Sequence, residues 1–278
     1  MSDIRVRAFM GDGLSLRARV SLLCCSLMSV WGCSTALPHA GLEGLRSPPS
    51  RYATPLLGPI HTVVIDAGHG GQDGGATHYG LKEKYLALDV AKRLRSALDQ
   101  AGFTVVMTRE TDTFLPLSRR PAVANSLPAD VFVSVHINAN RDHGVSGTEV
   151  YYPRVSVVSP SAPWPPSVAP SEVGVPTLTI KHILWDLVLG RTRAQSHQLA
   201  SMVCGSLHEG LHASCKAKPA RFVVLREAWM PAVLVEVGYV SNGLEAQRLN
   251  TPDYRQAAAE SVAQGIIAYA QAAGAEHI

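Results

Sequence analysis

The chain has 278 residues, enough for one large domain or two small ones, and its 46% hydrophobic and 17% charged content calls for a globular core. A formal net charge of +3 gives no basis for nucleic-acid binding. No uninterrupted apolar run reaches the length of a membrane-spanning helix, so no internal transmembrane segment is expected.

Taken in order, the N-terminus reads as a targeting segment. Arg5, Arg7, Arg17 and Arg19 precede an apolar run from Val20 to Gly32, the layout of a basic n-region and a short h-region. Val30-Trp31-Gly32-Cys33 then resembles a bacterial lipobox, with Trp31 departing from the small residue usual at its place. Residues 1–33 are therefore expected to be a lipoprotein-type signal peptide, with Cys33 as the lipidation site and a membrane anchor that does not span. Residues 34–59, rich in Pro, Gly, Ser and Leu, read as a linker. A catalytic domain is expected over 60–275. Of the five cysteines, Cys24 and Cys25 fall in the signal. Cys204 and Cys215 are left as either a disulfide or two buried thiols.

Thr62 to Ile65 is a β-branched run that ends in Asp66-Ala-Gly-His-Gly-Gly-Gln-Asp-Gly-Gly-Ala76, a glycine-rich loop carrying one imidazole, His69. A loop leaving the C-terminal end of a buried parallel strand is where open α/β sheets bind ligands. A dinucleotide loop and an ordinary turn with a solvated histidine compete, and the Gly-x-Gly-x-x-Gly spacing breaks at Asp73. Leu81 to Gln100 has helical periodicity through Leu86, Val90, Leu94 and Leu98, and Gly102 stops it. Glu83 opens this helix, where a first-turn acid also satisfies the helix dipole.

Phe103 to Arg109 reads as a strand, Leu117 to Ser126 as a helix with two arginines at its start, and Asp130 to Asn138 as a strand ending on His136. This alternation implies βαβ units and a mainly parallel twisted sheet flanked by helices, in the α/β class, with both imidazoles at the edge where the strands end. Gly147 to Tyr152 is a further strand. The Pro- and Ser-rich stretch from Pro153 begins an insertion that runs to about residue 190, with a short amphipathic helix expected over Leu178–Leu189. Ala194 to Leu211 reads as a longer helix, Arg221 to Leu225 and Ala232 to Gly238 as strands, and Asp253 to Ala273 as a closing Ala-rich helix.

Glu236 stands out because an unpaired carboxylate inside Val-Leu-Val-Glu-Val is costly to bury. It faces a cation or polar cleft, or it pairs with a buried arginine. Two histidines at strand ends, a glutamate at a helix start and this carboxylate fit a divalent zinc site with a base beside it. His208-Glu-Gly-Leu-His212 spells a rival His-Glu-x-x-His pattern. Gly210 weakens its helix, and the apolar face of that helix is already accounted for as core.

Several stretches together resemble the zinc-dependent N-acetylmuramoyl-L-alanine amidases of the amidase-3 type. They are Val64–Ala76, Lys82-Glu-Lys84, Val106–Arg109, Phe132–Ala139, Gly147–Val150 and Met230–Asn242. Ala67 stands where that family often has Pro. The resemblance implies that His69, Glu83 and His136 hold zinc, that Glu236 is the catalytic carboxylate, and that Arg226 lies near the cleft as a substrate contact. Asn138, Ser241 and Asn242 are expected to support loops. The implied reaction is hydrolysis, by zinc-activated water, of the amide joining N-acetylmuramic acid to the L-alanine of the peptidoglycan stem peptide. This belongs to cell-wall turnover and cell division in the periplasm. The resemblance also implies an activator protein acting on the insertion.

Overall fold

The computed structural model describes residues 60–154 and 178–275, and of residues 178–189 the helical backbone alone. The expected signal peptide with Cys33, the expected linker and most of the expected insertion lie outside the described residues. Three apolar runs make the centre of the sheet: β1 (Thr62–Ala67), β5 (Val131–Asn138) and β8 (Ala232–Tyr239). Each is buried on both faces, so the runs are continuous rather than alternating. With β4 (Thr104–Met107), β6 (Thr148–Pro153) and β7 (Cys215–Ala220) they form a six-stranded sheet of order β4-β1-β5-β8-β6-β7. All neighbours pair in parallel except β6, which runs antiparallel to β8. A two-stranded ribbon, β2 (Thr77–His78) with β3 (Leu81–Lys82), leads into α1 (Glu83–Gln100). The expected α/β fold with a mainly parallel sheet is what the chain adopts.

One sheet face carries the larger core. Val63, Ile65, Val133, Val135, Val233 and Val235 project into it. They meet Leu86, Val90, Leu94 and Leu98 of α1, and Leu199, Val203 and Leu207 of α3 (Leu178–Leu211). Val262 and Ile266 of α6 (Pro252–Ala275) complete that layer. Among the described residues the opposite face is covered by α2 (Arg119–Asn125) and the single turn α4 (Val223–Arg226), over Val64, Phe132, Ala232 and Leu234. Along β1, β5 and β8 the residues on this second face change character toward the strand ends, from Val64, Phe132 and Leu234 to Asp66, Ser134, His136 and Glu236. Neither short helix reaches over that polar end.

Three element assignments differ from the sequence reading. Arg221–Leu225 is not a strand: Val223–Arg226 is helical, and the strand before it is Cys215–Ala220. A four-residue apolar run does not separate the two by periodicity. Lys216, Lys218 and Pro219 hid the strand, and all three are tolerated because β7 is an edge. Leu178–Leu189 is not a separate short helix but the first part of α3, which continues through Gly190. One helical glycine costs about 1 kcal/mol, too little to break a helix anchored by packing further along. The sequence reading also passed over α5 (Gly243–Asn250), whose N-terminus is capped by the Asn242 side chain accepting from the N–H groups of Leu244 at 3.0 Å and Glu245 at 3.1 Å.

Cys204 and Cys215 form a disulfide that ties α3 to the edge strand β7.

Candidate metal centre

The loop after β1 is held by two buried guanidinium groups. Arg109 donates to the carbonyls of Ala67 at 2.8 Å, Gly68 at 2.6 Å and Lys84 at 3.0 Å. Arg120 donates to Ala67 O at 2.7 Å, His69 O at 2.8 Å and Leu115 O. Its charge is answered by Asp66 at 3.0 Å, which also accepts from Thr108 at 2.6 Å and Ser134 at 2.8 Å. The carbonyls of residues 67 to 69, which enter no regular ladder, are thereby satisfied. Lys84 adds a bond to Gly71 O at 2.8 Å and an ion pair to Asp112 at 2.6 Å.

This scaffold holds His69 at φ +58°, a left-handed conformation that a non-glycine residue adopts at a cost. Gly68 and Gly75 are needed for space around the three side chains. A Cβ on Gly68 would run into the His136 ring. One on Gly75, itself at φ +63°, would lie 2.5 Å from Glu83 Oε2 and 2.7 Å from the His69 ring. The loop, the start of α1 and the end of β5 therefore close on one another.

At their meeting point His69, Glu83 and His136 place one donor atom each within 4.8 Å of one another. Glu83 Oε1 is 3.0 Å from His69 Nε2 and 2.9 Å from His136 Nδ1. The N–H of Ile137 donates to that oxygen at 3.1 Å, and the N–H of Ala76 to Oε2 at 2.8 Å. His69 Nδ1 lies 2.8 Å from Asp73 Oδ2, which turns Nε2 toward the centre. Burial opposes ionisation of Glu83, but its hydrogen bonds with His136 and His69 outweigh this and hold it well below the usual carboxylate range. Burial likewise disfavours a charged His69, yet Glu83 and Asp73 raise its pKa above the ordinary 6.5.

Glu236 sits beside this group. Its Cα pairs with His136 across β5 and β8, and with Glu149 across β8 and β6. Its Oε2 is buried with no hydrogen-bond partner among the described residues. Burial, with the charges of Glu83 and Glu149 adding to it, pushes its pKa well above the carboxylate range. Among the described residues no arginine pairs with it. Glu149 itself is satisfied by Lys218 and Tyr151, and by Asn138 at 3.3 Å. Two imidazoles and a carboxylate converging on one point, with an unpartnered carboxyl oxygen next to them, suit a divalent cation that takes nitrogen and oxygen donors.

Arg226 lies elsewhere, at the end of α4, about half exposed and 3.5 Å from Glu227. Ser241 accepts from Asn140 N–H at 2.9 Å and Asn242 donates to His143 O at 2.9 Å, so both support loops as expected. The rival pattern gathers nothing: exposed His208 bonds to Ala213 O at 2.8 Å, and among the described residues His69, Glu83 and His136 are the one metal-suited group. Sequence reasoning missed Asp66, Arg109 and Arg120. The signal was present in Asp66, an acid inside a β-branched run like Glu236.

The fold and this cluster define an α/β protein with a candidate divalent-metal centre at the carboxyl ends of parallel strands. The chain belongs to the N-acetylmuramoyl-L-alanine amidase family, whose model matches residues 63–268. It is 34% identical to the amidase AmiC of Neisseria meningitidis over 74% of this chain and 52% of that one. It is 30% identical to AmiA of Escherichia coli K12 over 92% of each. The solved structure of AmiC2 from Nostoc punctiforme superposes with a TM-score of 0.59 at 32% identity, covering 77% of this chain and 98% of that one. The chain spans about half the length of the AmiC relatives it matches.

Proposed function

We propose that the protein hydrolyses the amide between N-acetylmuramic acid and the L-alanine of the stem peptide, with zinc held by His69, Glu83 and His136 and with Glu236 as the catalytic carboxylate. The observation that carries this is the three-donor cluster set one strand away from a carboxyl group with no partner of its own. Bound zinc supplies Lewis acidity and lowers the pKa of water. Glu83, kept ionised, and the ring nitrogens of His69 and His136 are the donors for it. Asp73 holds the His69 ring in place. Glu236 orients the attacking water, takes its proton and returns it to the departing alanine nitrogen, a task suited to a carboxyl group whose pKa burial has raised. The polar end of the thinly covered sheet face gives the substrate its approach.

Export fits this substrate. The basic and apolar N-terminus, the lipobox-like Cys33 and a disulfide, which persists in oxidising compartments, support a periplasmic, lipid-anchored protein. The insertion between β6 and α3 is where we place contact with an activator protein.

The test is digestion of purified peptidoglycan with the zinc-loaded protein, with a chelator present, and with Glu236→Gln, followed by mass spectrometry. Stem peptides beginning with L-alanine should appear only with the zinc-loaded wild type. Glu236→Gln should keep its metal and lose at least about 100-fold in turnover. Wild-type activity in that variant would remove Glu236 from the mechanism, and shortened stems still joined to muramic acid would make the protein a peptidase.

A further inference from the structure

Glu236 stands in register between His136 of β5 and Glu149 of β6, so the three side chains share one sheet face. The two glutamates differ in their partners. Glu236 Oε2 has no hydrogen-bond partner among the described residues, whereas Glu149, also buried, collects donors from four strands. Its Oε1 accepts from Lys218 Nζ of β7. Its Oε2 accepts from the Tyr151 hydroxyl of β6 and, at 3.3 Å, from Asn138 Nδ2 at the end of β5. Tyr239, at the end of β8, hydrogen-bonds to it as well. Burial opposes ionisation of Glu149, but the bonds from Lys218, Tyr151 and Tyr239 outweigh it and hold its pKa below the usual carboxylate range.

These bonds fall where the backbone ladder is weakest. The register of β5 on β8 shifts between His136 and Asn138. Such a shift disrupts the ladder locally, so the side-chain bonds through Glu149 tie the two strand ends together. The same donors lie within reach of Glu236. Tyr151 and Tyr239 are kept protonated by burial first and then by Glu149, and the charge of Glu236 adds to the effect on both. Lys218 Nζ rests on the carboxylate that neighbours Glu236 one strand away, about 5 Å across the sheet. Among these donors Lys218 alone carries a charge that would pair with an ionised Glu236.

Resting on the assignment of Glu236 as the catalytic carboxylate, we propose that Glu149 is a positioning residue for it. Glu149 draws Lys218, Tyr151 and Tyr239 to itself, holds the ends of β5 and β8 in step, and leaves Glu236 Oε2 free for the attacking water.

The experiment compares Glu149→Gln, Lys218→Met and the double variant as zinc-loaded full chains acting on soluble peptidoglycan fragments. In Glu149→Gln the amide oxygen stands in for Oε2 and keeps Tyr151 and Asn138, while the amide nitrogen replaces Oε1 and releases Lys218. All three variants should keep their zinc and their KM. The kcat of Glu149→Gln should fall at least about tenfold, part of the 10²–10⁴ that a positioned base contributes. Lys218→Met should keep its kcat, because Glu149 retains Tyr151, Tyr239 and Asn138. The double variant should regain most of what Glu149→Gln loses, and a crystal structure of Glu149→Gln should show Lys218 Nζ bonded to Glu236. A pair that is merely structural would lose alike from either side and would not be rescued. Unchanged kcat in Glu149→Gln, equal loss in the two single variants, or a double variant no better than Glu149→Gln would overturn the inference. Failure of the Glu236 assignment shows separately, as full turnover in Glu236→Gln or no stem peptide released by wild type. The crystal structure of Glu149→Gln then decides alone whether Glu149 keeps Lys218 from Glu236: Nζ on Glu236 upholds it, and Nζ elsewhere overturns it.

Discussion

Replacing Arg120 tests whether the metal loop is held from beneath. Arg120 is 2% exposed, and Asp66, its ion-pair partner at 3.0 Å, is fully buried. Arg120→Met removes the cation and leaves Asp66 with Thr108 and Ser134 alone. It also leaves His69 O without its donor, while Ala67 O keeps Arg109. Breaking a buried pair from one side costs about 3–5 kcal/mol, against a total stability of about 5–15 kcal/mol for a domain. The freed carbonyl lets residue 69 relax from φ +58°, which moves the imidazole off the centre. Loss of such support lowers metal affinity by about 10–100-fold. The double variant Asp66→Asn/Arg120→Met removes both charges and should recover much of the stability. It should not recover zinc affinity, because His69 O still has no donor. Urea unfolding of the metal-free proteins and zinc competition against a chromogenic chelator read the two effects separately. An Arg120→Met variant that keeps both its midpoint and its zinc affinity, or a double variant that regains both together, would refute this role of Arg120.

The disulfide closes a short loop, with 11 residues of separation, so Cys204→Ser/Cys215→Ser should cost up to about 3 kcal/mol, seen as a lower urea midpoint equal to that of the reduced wild type. Without metal, the raised pKa of His69 contributes stability that is complete below its ordinary 6.5 and is lost as pH rises through the folded value. The raised pKa of Glu236 acts in the same direction, since its burial is costlier once ionised. The metal-free protein should therefore melt lower at pH 8 than at pH 6. The zinc-loaded protein should reverse that order because imidazole ligands must be neutral, and calorimetric melts of both forms would check the sign. Deleting residues 155–177 should raise basal peptidoglycan digestion if the insertion restrains the cleft, and unchanged digestion would remove that role.

What the sequence disclosed follows from burial. Strands β1, β5 and β8 are buried on both faces and had to be continuous apolar runs, so they were legible, and with them the edge on which His69 and His136 fall. Strand β7 is an edge that meets one neighbour only, and nothing forces its composition toward strand formers. Its residues look like a loop, whereas the adjoining Arg221–Leu225 has strand-like composition and is helical from Val223. Pairings remote in sequence were likewise illegible. Nothing local says that Arg120 reaches Asp66, 54 positions away, or that Arg109 caps the carbonyls of a loop 41 positions earlier.

Asp66 and Glu236 sharpen the point because they pose the same sequence question. Both are acids in β-branched strands, both face the thinly covered side of the sheet, and each lies near the end of its strand. One is answered by an arginine and two hydroxyl groups, the other, on its Oε2, by nothing among the described residues. The difference is position along the strand. Asp66 lies where α2 still covers the face and can deliver Arg120, whereas Glu236 lies at the uncapped polar end, beyond the last residues that α4 covers. A buried acid with a cation is scaffold. A carboxyl group whose Oε2 has no partner among the described residues, next to an ionised glutamate, is kept at a standing energetic cost, and that cost is the ground on which we propose it for the chemistry.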